Sequence, residues 1–201
     1  VTLRAFFASV FTKKVFTKPN RCLPLPEALA AIQEADAIVL GPGSLYTSII
    51  PNLLIKGIPE ALARTPAIKI YVCNVMTQPG ETDGYTGSEH LQTIIDHAGK
   101  FLDYALFNTG QVPLRLRARY RQEGASPVQV DLVKIEKLGI TAICAELIHK
   151  SAVVRHHPEE LARAIVRLVL SNHELPDRIR YLHNYPKINP ERAYPVRHYP
   201  G

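Results

Sequence analysis

The chain has 201 residues, of which 46% are hydrophobic and 21% are charged. This balance is that of an ordinary globular protein rather than of a disordered or fibrous one. The length suffices for one well-packed core and one domain. No apolar run approaches the roughly 20 residues of a transmembrane helix, and no signal peptide is evident. We therefore expect no membrane span and a cytoplasmic location.

The net charge indicates which classes of ligand are compatible with the chain, and the cysteines indicate its redox state. The formal net charge of +6 permits binding of nucleic acid or anionic lipid without requiring it. Because neither an aromatic-interleaved RNA-binding pattern nor a helix-turn-helix is present, we expect a phosphorylated small molecule rather than nucleic acid. Cys73 and Cys144 lie in apolar, strand-like runs and are predicted to be reduced and buried.

Apolar runs alternate with helical patterns along the middle of the chain. Strands are predicted at residues 36–40, 68–74, 103–108 and 140–147. Helices are predicted at residues 44–56 with a break at Pro51, at 59–64, at 88–98 with Ser88 as the cap, and at 158–170. Such alternation indicates an α/β fold, here a Rossmann-like three-layer α/β/α arrangement around a mostly parallel sheet. Ligands bind such sheets beyond the carboxyl ends of the strands.

Residues 41–44 read Gly-Pro-Gly-Ser and connect a predicted strand to a predicted helix. A helix start presents unpaired amides and partial positive charge to an anion, and glycines let a ligand approach the backbone. The spacing is neither Walker A nor GxGxxG, and Ser44 lacks the elbow and the base of a hydrolase triad. The alternative is a tight turn in which Ser44 only caps the helix. The candidate anion-binding residues are Gly41, Gly43, Ser44, Leu45, Thr47 and Ser48.

A second polar loop, at residues 74–85, follows the next predicted strand. The amides of Asn74 and Gln78 can donate and accept, which suits recognition of a base or sugar edge. Glu81 and Asp83 could hold Mg²⁺ through a phosphate or water, since Mg²⁺ prefers oxygen ligands. The alternative is a loop whose polar groups satisfy its own backbone.

An arginine-rich run and two pairs of histidines are weaker candidates for functional residues. Arginines alternate with other residues over 115–121, and such a run is predicted to be a solvated face. His156 and His157 are adjacent, so their rings diverge, and each is predicted to cap a helix or to lie at the surface. His90 and His97 can share a helix face but lack partners at metal-ligand spacing, so no resident metal site is predicted.

The two polar loops together carry a resemblance. GPGSLYTSIIPNLL at residues 41–54 and YVCNVMTQPGETDGY at residues 71–85 resemble the YvcK-like gluconeogenesis-factor family, which is related to the CofD-like 2-phospho-L-lactate transferases. The resemblance runs from about residue 24 to 170. It implies the carboxyl-terminal portion of such a protein, because the glycine-rich first turn and aspartate-rich loop of the family are not found. The expected division is a connecting remnant at 1–23, a nucleotide-sugar-binding portion at 24–171 and an extended or disordered tail at 172–201.

The resemblance also implies a function. It implies binding of a UDP-sugar, with UDP-N-acetylglucosamine as the leading candidate, and a regulatory role in growth and cell shape on gluconeogenic carbon sources. No cofactor is implied beyond a Mg²⁺ ion that accompanies the nucleotide. In addition to the first loop, the implied ligand-binding residues are Asn74, Met76, Gln78, Glu81, Thr82, Tyr120 and Arg155.

Two alternatives remain open at this point. The first is a CofD-like transferase that moves a phospho-lactyl or related group onto a deazaflavin alcohol. The transferase loop resembles GPSNP, whereas this chain has GPGSLY, and the regulator is therefore preferred over an enzyme. The second is a non-catalytic scaffold that docks through the basic tail and the arginines of residues 115–121. Assembly into a homo-oligomer is compatible with each of them.

Overall fold

The computed structural model describes residues 14–18, 22–150 and 153–172. The connecting remnant expected at residues 1–23 lies largely outside the described residues. The tail predicted from residue 172 lies outside them as well, apart from Asn172, which ends the last helix. Across the described ranges, no helix is both long and apolar enough to span a bilayer.

Four parallel strands form the central sheet, in the order β1-β2-β3-β4. Helices connect the strands, and a two-stranded antiparallel hairpin precedes the last helix. The elements in chain order are α1 (Pro26–Glu34), β1 (Ala37–Leu40), a π-helical turn (Leu45–Ile49), α2 (Ile50–Leu53), α3 (Ile58–Arg64), β2 (Ile68–Val72), α4 (Gly87–Ala98), β3 (Tyr104–Asn108), α5 (Leu114–Gln122), α6 (Leu132–Lys137), β4 (Thr141–Ala145), β5 (Ile148–Lys150), β6 (Val154–His156) and α7 (Pro158–Asn172).

The core has two halves, one on each face of the sheet. All five residues of β2 are buried, because helices cover both of its faces. On one face Tyr71 packs in a cluster with residues of α2, α4 and α6. On the other face Ile70 packs in a cluster with Leu161 and Leu168 of α7. The predicted three-layer α/β fold with a parallel sheet is therefore confirmed.

Some local predictions are wrong. The cap of α4 is Thr86 rather than Ser88, and the Thr86 N–H donates to the Glu89 carboxylate at 2.7 Å as in a capping box. The helix predicted at 44–56 changes from the π-helical turn to α2 at Ile50, beside Pro51, but it ends at Leu53. Cys73 is buried as predicted, but Cys144, on the edge strand β4, is exposed.

Several elements have no counterpart in the sequence-based prediction. Helix α1, helix α6 and the β5–β6 hairpin are all short, and their apolar residues form no long periodic pattern. The arginine-rich run at 115–121 is part of helix α5, whose residues are all at least partly exposed. Helix α5 and the hairpin lie beyond the carboxyl ends of the strands, where they complete a cleft.

Candidate functional site

A cleft of about 780 Å³ lies at the carboxyl ends of β1 and β2. Its walls come from the loops after these two strands, from helix α5 and from β6 of the hairpin. Eight of the thirteen sequence-predicted site residues line it. These are Gly43, Ser44, Asn74, Met76, Gln78, Glu81, Tyr120 and Arg155.

The first loop depends on Gly41 for its path. Gly41 has φ +91°, a left-handed conformation that L side chains rarely adopt. A Cβ at this position would lie 2.9 Å from the backbone oxygen of Val72. Gly41 therefore lets the loop cross closely over the end of β2, which brings Gly43 and Ser44 to the cleft, although Gly41 does not line it.

Ser44 joins the helix start to the second loop. Its Oγ accepts the Thr47 N–H at 3.2 Å and the Thr47 hydroxyl at 2.6 Å, so Ser44 caps the π-helical turn as predicted. The Ser44 hydroxyl donates in turn to a Glu81 carboxylate oxygen at 2.5 Å. A carboxylate thus sits at this helix start, where the partial positive charge favours an anion.

Asn74 makes the second connection between the two loops. Its amide nitrogen donates to the Gly43 carbonyl at 3.0 Å and to the Gln78 Oε1 at 3.3 Å. Since both of its N–H groups are used in this way, the Asn74 Oδ1 is the atom left to accept from a ligand. The loops after β1 and β2 therefore form one continuous wall, here called the loop wall (residues 41–48 and 74–83).

Two polar residues of the second loop form hydrogen bonds within the loop. Thr82 is fully buried, and its hydroxyl accepts the Gln78 N–H at 2.9 Å. The Asp83 carboxylate accepts the Gly80 N–H at 2.7 Å, and Asp83, unlike Glu81, is not among the residues that line the cleft. Within the described ranges, no group of three or more His, Cys, Asp or Glu side chains is arranged to hold a metal ion.

Five predicted site residues do not line the cleft. Besides Gly41 and Thr82, these are three residues of the π-helical turn. Leu45 is fully buried in the core, whereas Thr47 and Ser48 are exposed on the turn. Their side chains do not line the cleft, because only the beginning of the turn faces it.

The opposite side of the cleft, here called the open wall, consists of Tyr120, Arg155 and His156. The Tyr120 hydroxyl accepts the Val154 N–H at 3.2 Å, which connects helix α5 to the hairpin. The hydroxyl proton of Tyr120 remains available for donation. Arg155 is exposed, and no ion pair involves it among the described residues.

His156 and Glu123 also line the cleft, and neither was predicted from the sequence to do so. Burial lowers the pKa of His156 below 6.5, while a hydrogen bond with the Cys73 backbone opposes this shift. The Nε2 atom of His156 is buried and has no protein partner among the described residues. The strand-like run before Arg155 was the available indication, but it did not reveal the hairpin that turns His156 toward β2.

Comparisons with known proteins agree with this architecture. Residues 5–148 match the family described as 2-phospho-L-lactate transferase CofD. The chain belongs to the CofD family. It is also similar to the gluconeogenesis factor of Bacillus subtilis, with 42% identity over 159 residues that cover 78% of this chain and 50% of that protein. The gluconeogenesis factor of Halalkalibacterium halodurans is 47% identical over 156 residues, which cover 77% of this chain and 48% of that protein.

A solved structure shows the same relationship. A crystal structure of a UPF0052 family member from Bacillus halodurans superposes with a TM-score of 0.75 at 46% identity, covering 78% of this chain and 50% of that chain. The predicted resemblance to the gluconeogenesis factors is therefore confirmed. The chain spans about half the length or less of the curated relatives it matches.

Proposed function

We propose that the cleft binds a UDP-sugar, with UDP-N-acetylglucosamine as the first candidate. In this proposal the protein acts as a cytoplasmic gluconeogenesis factor that controls growth and cell shape on gluconeogenic carbon sources. The observation that carries the proposal is the convergence of Ser44, Gln78 and Arg155, from three separate parts of the chain, on one cleft. Relatives named gluconeogenesis factor support the assignment of the biological role.

The size of the cleft and the position of Arg155 support a nucleotide-sugar as ligand. Its volume of about 780 Å³ lies within the range of small-molecule and cofactor sites. A diphosphate needs a cation, and Arg155 has a planar, permanently charged guanidinium with no carboxylate partner among the described residues. Arg155 is therefore proposed to hold the diphosphate from the open wall.

The free polar atoms of the loop wall match the edge of uracil. Uracil offers one N–H donor between two carbonyl acceptors. The Asn74 Oδ1 is left to accept, and the Gln78 side-chain nitrogen is left to donate, because its Oε1 already accepts from Asn74. We assign the base to these two amides, with the ring of Tyr120 as the surface on which the base or sugar stacks.

A Mg²⁺ ion can enter this site with the nucleotide. Mg²⁺ keeps several waters and commonly binds through one or two carboxylates together with substrate phosphates. Glu81 is the carboxylate of the second loop that faces the cleft. When a Mg²⁺–nucleotide complex binds, Glu81 is proposed to release the Ser44 hydroxyl and to contact the ion or its water shell.

Calorimetric titration of the protein with UDP-N-acetylglucosamine, UDP-glucose, UDP, GDP and GTP tests the proposal. Saturable binding of a UDP-sugar is expected, together with a rise of the melting temperature by mass action. Arg155→Gln is expected to weaken binding about tenfold or more, since a charge-assisted hydrogen bond contributes roughly 1.5–3 kcal/mol. Arg115→Gln is the matched control, because Arg115 is exposed on α5 and does not line the cleft. Absence of binding by every UDP-sugar overturns the proposal.

The family match over residues 5–148 favours phospho-lactyl transfer as the second candidate. In that case guanine nucleotides would bind better than uridine nucleotides, and a deazaflavin alcohol would be consumed. The same titration therefore separates the two functions through the base preference.

A further inference from the structure

Helix α5 carries four arginines, and within the described part of the chain only Arg119 has an acidic partner. Arg119 lies 3.4 Å from the Glu123 carboxylate. Arg117 and Arg121, one helical turn apart, take part in no ion pair within the described part of the chain. Two like charges at this spacing destabilise a helix, so an anion between them would relieve a repulsion.

These two arginines line a pocket that is distinct from the cleft. The pocket has a volume of about 280 Å³, and its other residues belong to the segment 125–129. The Thr77 N–H donates to the Ser126 carbonyl at 2.7 Å, and the Val128 N–H donates to the Val75 carbonyl at 3.0 Å. The backbone of the segment is thus fixed against the loop after β2, which makes a defined floor.

The pocket offers neutral hydrogen-bond donors beside the two guanidinium groups. Ser126 and Gln129 are exposed residues of its floor. No carboxylate is among the residues that line it. Two planar cations, a hydroxyl and an amide form a donor set that suits a tetrahedral dianion.

We propose that the pocket between Arg117 and Arg121 is a binding site for a phosphate group of a small ligand. Its volume fits a phosphate monoester or a diphosphate but is small for a nucleotide-sugar. Arginine suits this chemistry because its fork binds phosphate oxygens in pairs. The phosphate site does not depend on the UDP-sugar function proposed for the cleft.

The position of the pocket links it to the cleft. Ala125 lines both, and Tyr120, which lines the cleft, lies on the same helix between the two arginines. Phosphate bound on the outer side of α5 therefore restrains the element that forms part of the open wall. If the cleft binds a UDP-sugar, the two affinities are coupled reciprocally.

Calorimetric titration with inorganic phosphate and pyrophosphate at low ionic strength tests the site. The Arg117→Gln/Arg121→Gln variant is expected to bind at least about tenfold more weakly than the parent protein. The matched control is Arg115→Gln/Arg119→Gln, which removes the same charge from the same helix and is expected to change the affinity less than about twofold. All four residues are exposed, so each variant keeps the fold, which circular dichroism checks.

Three results would overturn the proposal. One is the absence of saturable phosphate binding by the parent protein. Another is an equal loss of phosphate affinity in both double variants, which would mean that phosphate is attracted by the total positive charge of the helix and not by this pocket. The third is a loss of phosphate binding in Arg155→Gln, which would place the phosphate in the cleft. UDP-sugar binding is measured in a separate titration, and its absence would not contradict the phosphate site.

Discussion

The two walls of the cleft are built in different ways. Hydrogen bonds from Ser44 to Glu81 and from Asn74 to Gly43 join the two loops of the loop wall. In the open wall, the Val154 N–H donates to the Tyr120 hydroxyl, and His156 hydrogen-bonds with the Cys73 backbone. The loop wall is therefore held by side-chain contacts between its own loops, whereas Arg155 of the open wall is exposed and has no ion-pair partner among the described residues. Substitutions in the loop wall are expected to cost stability, and those in the open wall to cost mainly binding.

The loop wall lies over a cluster of buried aromatic side chains. Tyr46 is buried below the first loop, and its hydroxyl lies 2.8 Å from the hydroxyl of Tyr85. Burial and this hydrogen bond raise the pKa of Tyr46 to about 12, so the phenol stays neutral. His97 and His90 pack edge-on against Tyr46 and Tyr85 respectively. The loop wall thus rests on a packed aromatic cluster.

The largest expected effect comes from Gly41→Ala. This change forces an L residue into a left-handed conformation and places a Cβ against the Val72 carbonyl. We expect a loss of about 3 kcal/mol in the free energy of unfolding, measured by urea denaturation. Gly84→Ala is the control, because Gly84 also has positive φ but has open space around its Cβ position. If Gly41→Ala lowered the free energy of unfolding no more than Gly84→Ala does, the first loop would be able to shift away from the Val72 carbonyl at little cost.

A smaller loss is expected from Ser44→Ala. The change removes the cap of the π-helical turn and leaves the Glu81 carboxylate without its hydroxyl donor. We expect the free energy of unfolding to fall by about 1–2 kcal/mol. Ser48→Ala, which removes an exposed hydroxyl from the same turn, is expected to stay within about 0.5 kcal/mol. Equal effects of the two changes would contradict a structural role for the contact between the loops.

The strands and the two loops that follow them could be predicted from sequence for a physical reason. A strand buried on both faces is a largely apolar run such as Ile68–Val72, in which the one charged residue, Lys69, pairs with Asp103. The polar residues after such a strand must lie at the carboxyl edge of a parallel sheet. The direction of a side chain within a loop has no such periodicity. Thr82 was therefore assigned to the ligand although it is buried and bonded to the Gln78 amide.

The open wall was harder to predict because it depends on packing between distant segments. Tyr120 and Arg155 were assigned by resemblance, while no pattern in the sequence revealed the hairpin that brings His156 beside them. The error at the start of α4 was avoidable. Thr86 and Glu89 have the spacing of a capping box, whereas Ser88 uses its hydroxyl on the Asp131 carboxylate.

Acidification is expected to act through two histidines, His90 of α4, which packs against Tyr85, and His156 of the open wall. Burial lowers the pKa of His90 below 6.5, although the hydrogen bond with the Thr86 carbonyl opposes the shift. The unfolded state then binds the proton more readily, so stability is complete above pH 6.5 and falls as the pH drops below it. His90→Gln is expected to flatten this fall in the free energy of unfolding between pH 6.5 and 5. His156, which faces the cleft, has a similarly lowered pKa. A substitution there is expected to change the pH dependence of ligand binding as well.

The smallest effect on stability is expected from Arg155→Gln. The guanidinium is exposed and has no ion-pair partner in the described part of the chain, so the free energy of unfolding should change by less than about 0.5 kcal/mol. The rise in melting temperature caused by UDP-N-acetylglucosamine should nevertheless be largely lost. Ser44→Ala is expected to lower the melting temperature even without ligand. If Arg155→Gln destabilised the free protein as much as Ser44→Ala does, the open wall would be a structural element, and the contrast between the two walls would fail.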